Sequence, residues 1–371
     1  MTDKELLFLL TMHRAPKVGD ITAKKLLQHC GCAEEVFKEK KRNLLKIDGI
    51  GEYIVDMLHQ KNNFMEAEQE LQFLRDNNYQ VVSYYEEEYP RNLRHCVDGP
   101  ILMFSRGNIN FNHPQQKILS VVGTRQITSY GIAACEKFIE DISYFKPIIL
   151  SGFAYGVDIC AHKAAMKNGL QTIGVLAHGL NQMYPKTHAK YCSAMEENGG
   201  FISDFWSDEG PERNNFLKRN RIIAGMADAT IVIESASKGG SLVTADIAAS
   251  YNREVFAVPG RATDKFSEGC NNLIKTQQAH MLTSAADLVY VLGWNLEEEE
   301  KKSTSVQKQL FVDMNETEQA IYSYLQKQGK QLLDVIALDC KLPIHQISAT
   351  LLTMEMKGLI RPLPGKLFEA V

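Results

Sequence analysis

No CxxC pair occurs among the eight cysteines of this 371-residue chain. Cys30 and Cys32 form the one close couple, and nothing nearby supplies a second pair of ligands. A zinc site is therefore not expected, whereas buried, reduced thiols are. A Gly-x-x-x-x-Gly-Lys-Ser/Thr phosphate loop is missing, as is a Gly-x-Ser-x-Gly elbow, which argues against a P-loop nucleotidase and a serine hydrolase of that type. No stretch approaches the ~20 apolar residues of a membrane span. The apolar run Leu6 to Leu10 is too short for a secretory signal, so a cytoplasmic protein without a membrane partner is expected. Strong positive charge is lacking too: 41 Lys and Arg face 45 Asp and Glu, for a net charge of −4. Any nucleic-acid surface must then be a local patch.

What is present reads as a soluble globular chain long enough for two or three domains. Up to about residue 78, apolar residues recur at helical spacing, and no run alternates with period two. Leu44-Leu45-Lys46-Ile47-Asp48-Gly49-Ile50-Gly51, followed by Tyr53 to Leu58, has the layout of a helix-hairpin-helix turn, whose amides can face a phosphate or merely pack two helices. Arg14-Ala15-Pro16-Lys17-Val18-Gly19 is a degenerate first copy.

Residues 79–296 read as an irregular bridge followed by strands that alternate with helices. The expected strands are Ile118–Val122, Ile148–Leu150, Thr172–Leu176, Phe201–Ser203, Thr230–Ile233 and Val255–Val258. Such alternation makes a parallel sheet covered on both faces, an α/β class. The charged run Glu297 to Glu300, with the polar residues after it, reads as a linker over 297–311. Three helical stretches and a hairpin with its turn at Gly365 then give residues 312–371 a winged-helix plan.

Open parallel sheets bind ligands at the carboxyl ends of their strands. Gly123-Thr124-Arg125 follows the first long strand, and Ser151-Gly152-Phe153-Ala154-Tyr155-Gly156-Val157-Asp158 follows the second. Lys238-Gly239-Gly240-Ser241, with Thr244 one turn on, follows the fifth. Glycine-rich turns gathered at one edge present amides and helix starts to an anion. Arg213, Lys218, Arg219 and Arg221 lie within nine residues, with Phe216 and Asn220 among them. Such cations neutralise phosphates, and an exposed aromatic stacks a base. The bland reading is a solvated helix start with Phe216 in the core. Asp158 and His162 have the spacing of an acid–base pair, but Asp is a natural helix opener, and a cap with its partner is the expected role. No catalytic, metal-binding or cofactor residue is assigned.

The order of these turns resembles the DNA-processing protein A (DprA/Smf) family. The resemblance rests on Gly123-Thr124-Arg125, Ser151-Gly152-x-Ala154-x-Gly156-x-Asp158, Tyr184-Pro185, Phe216-x-x-Arg219-Asn220-Arg221-Ile222-Ile223, Gly240-Ser241-Leu242-x-Thr244 and Val258-Pro259-Gly260. It covers residues 89 to 292. It implies an extended Rossmann-like domain between a helix-hairpin-helix (SAM-like) domain and a winged helix. It further implies a homodimer that holds single-stranded DNA, meets single-strand-binding protein and loads a RecA-type recombinase in natural transformation, without being an enzyme. By motif position Arg125 would anchor phosphate, Arg213 and Arg219 to Arg221 would add cations, and Phe216 would stack on or buttress a base. Ser241 and Thr244, with the amides of Gly239 and Gly240, would complete the pocket, which Gly152, Asp158 and His162 shape. Leu217 stands where the family usually has proline.

Two other readings compete. The same sheet variant resembles the cytokinin-activating phosphoribohydrolases, which use Pro-Gly-Gly-x-Gly-Thr-x-x-Glu. Gly239-Gly240 begins such a stretch and Asp246 is in register with the acid, but Leu242 and Val243 replace the needed Gly and Thr. The other is a nucleotide-sensing or protein-binding module. The winged helix, poor in cations from Ile344 to Lys357, is expected to contact protein or to add little to DNA binding.

Overall fold

The computed structural model describes residues 1–111, 116–294, 314–340, 342–357, 359–363 and 367–370. They fall into two compact units, divided between residues 296 and 297. The residues read as a linker, 297–311, and the turn at Gly365 lie outside the described ones.

The first unit is built on a sheet with nine strands among the described residues: β1 Gln80–Ser83, β2 Leu102–Asn108, β3 Ile118–Val122, β4 Ile148–Ser151, β5 Thr172–Val175, β6 Gly199–Ser203, β7 Ala229–Val232, β8 Glu254–Ala257 and β9 His280–Met281. Their order is β1-β2-β6-β5-β4-β3-β7-β8-β9. From β6 across to β9 all pairs are parallel. The six strands expected from the sequence are all here, and every residue of β3 to β7 is buried, which is why they read as continuous apolar runs. Two strands of the bridge, β1 and β2, extend the sheet antiparallel at the β6 edge. Inside the sheet, polar atoms pair across strands: Ser120 Oγ donates to Thr230 Oγ1 at 2.7 Å, and Ser151 Oγ to the Val121 carbonyl at 2.6 Å.

The chain runs from β3 outward to β6 on one side and from β7 outward to β9 on the other. The strand order therefore reverses between β3 and β7. Helices 129–142 and 157–167 follow β3 and β4, and helices 213–226 and 240–250 precede and follow β7.

Residues 3–76 form helices 3–14, 20–30, 33–38, 41–44, 52–58 and 61–76. Thr2 and Glu5 make a capping box at the first. These helices share their apolar interior with one end of the sheet: Leu10, Leu26 and Leu58 belong to the same buried cluster as Leu102, Phe104, Phe153, Phe201 and Trp206. Polar contacts reinforce that seam. Trp206 Nε1 meets His13 Nδ1 at 2.6 Å, and Glu70 accepts from the Ser207 amide at 3.0 Å.

The second unit has helices 316–328, 333–339 and 344–356 around Ile321, Leu325, Ile336, Ile347 and Leu351. Strands β10 Gln331–Leu332, β11 Ile360–Leu363 and β12 Leu367–Ala370 pair in the order β10-β12-β11, all antiparallel. Three helices with a small sheet is the winged-helix plan read from the sequence.

Candidate nucleic-acid interface

The carboxyl ends of β3, β4 and β5 meet the start of helix 213–226. Arg219 on that helix is 4% exposed, and its Nη1 donates to the Val175 carbonyl at 2.5 Å. The guanidinium lies against Gly152: a Cβ there would come within 2.2 Å of Nη1. Glycine after β4 thus lets the guanidinium lie directly against the backbone, where a side chain would have to displace it. Asp158, buried, supplies the opposite charge, and its Oδ2 accepts from the Ala154 amide at 3.2 Å. Burial pulls Arg219 down to about 10 with Asp158 opposing, so it stays cationic at neutral pH.

Phe216 sits one turn earlier on the same helix face. It is partly exposed. Three groups frame it: the exposed Arg125 guanidinium 5.5 Å from its centroid, Arg219 at 6.0 Å, and Tyr184 edge-on at 5.9 Å. A partly exposed aromatic ring beside two arginines is an arrangement suited to a base attached to a phosphate. Tyr184 is 45% exposed, and Tyr155, at 46%, stands over His188 with ring centroids 4.8 Å apart. Sequence reasoning left both tyrosines out of the site, although Tyr184-Pro185 was already a marked motif.

The loops beside this group are tightly determined. Gly156 has φ +79, and a Cβ would lie 2.2 Å from the Thr124 carbonyl, so the β3 and β4 loops close on each other. Thr124 donates its amide to the Glu234 carbonyl at 2.7 Å and accepts the Val157 amide at 3.1 Å. Gly123 packs on Val157. Thr124 and Gly123 therefore shape the loop that presents Arg125.

Glu234, at the end of β7, occupies the place where an open sheet of this kind takes a phosphate. Its carboxylate accepts from the Thr128 amide at 2.8 Å and from Thr128 Oγ1 at 2.5 Å, at the start of helix 129–142. The group is 2% exposed. That helix start is answered by the chain itself.

The other residues picked out from the sequence are placed differently. Arg213, Lys218 and Lys238 are exposed, and Asn220 is partly buried. Ser241 is buried and donates to Ser235 Oγ at 3.0 Å, while Thr244 is buried one turn on and Gly239 packs on Ser235. Gly240 is exposed at the start of helix 240–250. Among the described residues no hydrogen bond or ring contact joins 238–244 to Arg125 or Phe216. Arg221 is turned away from the pocket into ion pairs with Asp20 and Asp204. Asp158 and His162 do not pair. His162 meets Thr172 Oγ1 at 2.7 Å, and burial pushes its ring down to about 3, hence neutral. Among the described residues no group of three or more His, Cys, Asp or Glu is placed to hold a metal, and no helix is long and apolar enough to cross a membrane.

An extended Rossmann-like sheet with an arginine-framed aromatic at its carboxyl edge defines a Rossmann-like α/β protein, with a winged helix in the same chain. Residues 80–293 match the model of the DNA recombination-mediator protein A family, and residues 312–366 match the DprA winged-helix domain. The chain belongs to that DNA recombination-mediator family. It is 33% identical to protein Smf of Escherichia coli over 80% of this chain and 79% of that one, and 28% identical to protein Smf of Synechocystis over the full length of both. The X-ray structure of DNA processing protein A from Streptococcus pneumoniae superposes with TM-score 0.64 at 30% identity, covering 78% of this chain and 98% of the other. A solved structure of DNA processing protein A from Helicobacter pylori, described for its single-stranded DNA binding mode, gives TM-score 0.52 at 26% identity, covering 58% of this chain and 95% of the other.

Proposed function

We propose that this protein binds single-stranded DNA along the carboxyl edge of its sheet and acts in the cytoplasm as a recombination mediator, passing the strand to a RecA-type recombinase in natural transformation. The observation that carries the reading is the Arg125–Phe216–Tyr184 group, a partly exposed aromatic ring with an exposed cation and a buried cation both close to it. Family membership and the single-stranded DNA described for the Helicobacter relative support it. Binding without catalysis is the role proposed, in keeping with membership of a DNA recombination-mediator family. Arg125, Phe216, Arg213, Lys218 and Asn220 are the proposed contacts, with the exposed Lys238 and Gly240 extending the track. A homodimer and an encounter with single-strand-binding protein belong to the same proposal.

The test is anisotropy of a labelled oligonucleotide, single- against double-stranded, at two salt concentrations. The reading expects preference for the single strand and steep loss of affinity with salt, because phosphate contacts release counterions. A folded protein with no single-strand affinity, or with affinity indifferent to salt, refutes it.

A further inference from the structure

Arg219 and Arg221 are two residues apart on one helix, hence roughly 200° apart around its axis. Arg219 underlies the pocket, whereas Arg221 points the other way. Its Nη2 lies 3.1 Å from Asp20 Oδ2 and also donates to Asp204, while Nη1 donates to the Asp98 carbonyl. These partners come from three separate segments: the first turn of helix 20–30, the bridge before β2, and the end of β6. Two of the three are tied further. Asp20 Oδ1 accepts the Ile101 amide at 2.9 Å, and Asp98 Oδ1 accepts from the Tyr251 hydroxyl at 2.5 Å. Lys24, one turn on from Asp20, donates to the Cys96 and Val97 carbonyls at 3.0 and 3.2 Å. The Arg221 side chain is 14% exposed and that of Asp204 6%. Near the end of the helix, Gly225 packs so closely that a Cβ would lie 2.8 Å from Cys96 Sγ.

We propose that Arg221 is a positioning residue for the single-stranded DNA site: through Asp20 and Asp204 it fixes the rotation of helix 213–226, and so the place of Phe216 relative to Arg125. This rests on the reading of the pocket given above. A planar guanidinium with partners on both edges sets an orientation that a flexible ammonium does not. Arg221 Nη2 holds two carboxylates, so neutralising either removes one of its two charged anchors while the other pair remains, and the helix is held less firmly in rotation. Asp20 thereby links the amino-terminal helices to a pocket it does not touch.

The full chain and three variants, Asp20→Asn, Asp204→Asn and Arg221→Lys, are compared for binding a labelled oligothymidine at two salt concentrations, with melting curves to establish folding. Positioning predicts that all three bind more weakly, by about tenfold if roughly 1.4 kcal/mol of orientation is lost, and that the salt dependence of each stays that of wild type. A direct phosphate contact predicts the opposite sign. Neutralising Asp20 or Asp204 would free Arg221 and tighten binding, and lysine would serve nearly as well as arginine. Either result overturns the proposal. Should Asp204→Asn fail to fold, the partly exposed Asp20→Asn and the charge-keeping Arg221→Lys decide the question alone. Wild type that does not bind the strand refutes the pocket reading, whereas tight wild-type binding left unchanged in the variants refutes only the role of Arg221.

Discussion

The Arg125 guanidinium lies across Phe216, its carbon ζ 5.5 Å from the ring centroid. Each residue thereby orders the other, and the two should act together on a nucleotide. Phe216→Ala is expected to weaken single-strand binding by about 5- to 150-fold, the ~1–3 kcal/mol of one stacked base. Arg125→Ala should flatten the dependence of log affinity on log salt by about 0.7 for one lost phosphate contact. The double variant should lose less than the sum, since the residues touch. Additive losses would show that they work separately.

Gly152 has no room for a side chain above Arg219. Gly152→Ala must push the guanidinium off the Val175 carbonyl or displace the β4 loop. Overpacking of this kind costs roughly 1–3 kcal/mol. Urea denaturation should show the loss, and single-strand affinity should fall with it. An alanine variant with wild-type stability and affinity would mean the loop is slacker than its geometry implies.

His162 is held neutral, with its ring pushed down to about 3 from 6.5. As pH falls below 6.5 the unfolded chain takes up the proton first. The stability this residue contributes is whole above that pH and drains away toward pH 3, at up to about 1.4 kcal/mol per pH unit. His162→Gln removes this part of the acid sensitivity. Denaturation midpoints measured from pH 7 to pH 4 should fall less steeply in the variant; parallel curves would count against a neutral buried ring.

Glu234→Ala strips the start of helix 129–142 of both acceptor oxygens that Thr128 uses. The unmade bonds should cost about 1–3 kcal/mol, read as a lower melting temperature. Glu234→Gln, which keeps one acceptor, should lie between alanine and wild type.

Helix 344–356 of the winged unit contains no lysine or arginine. Lys357, just beyond it, holds both oxygens of Glu318 at 2.8 Å. Removing residues 306–371 should therefore leave most single-strand affinity in place. A large loss in the same anisotropy assay would assign DNA contacts to this unit.

Much of the sheet was legible because β3 to β8 are short, β-branched and almost wholly buried, so apolar runs and glycine turns mark them. β9, two exposed residues long, carries no pattern to read. The carboxyl-edge loops were legible in the same way, down to Arg125 and Phe216. What could not be read was which cation of the 213–221 cluster faces where. Helical spacing separates Arg219 from Arg221, but the side that becomes interior depends on Asp20, about two hundred residues earlier in the chain. Asp158 and His162 show the same limit. Their spacing along one helix says nothing of Thr172, on the adjoining strand, which is the partner His162 finds.

The carboxylate at the end of β7 has a wider meaning. Sheets wound this way commonly wait for a soluble cofactor to complete them at the reversal of strand order. Here the completing group is covalently part of the polypeptide and is present from the moment the chain folds. Glu234 takes that position as the chain folds, and the neighbouring loops, with their aromatic and arginine side chains, are the face proposed to meet an outside polymer.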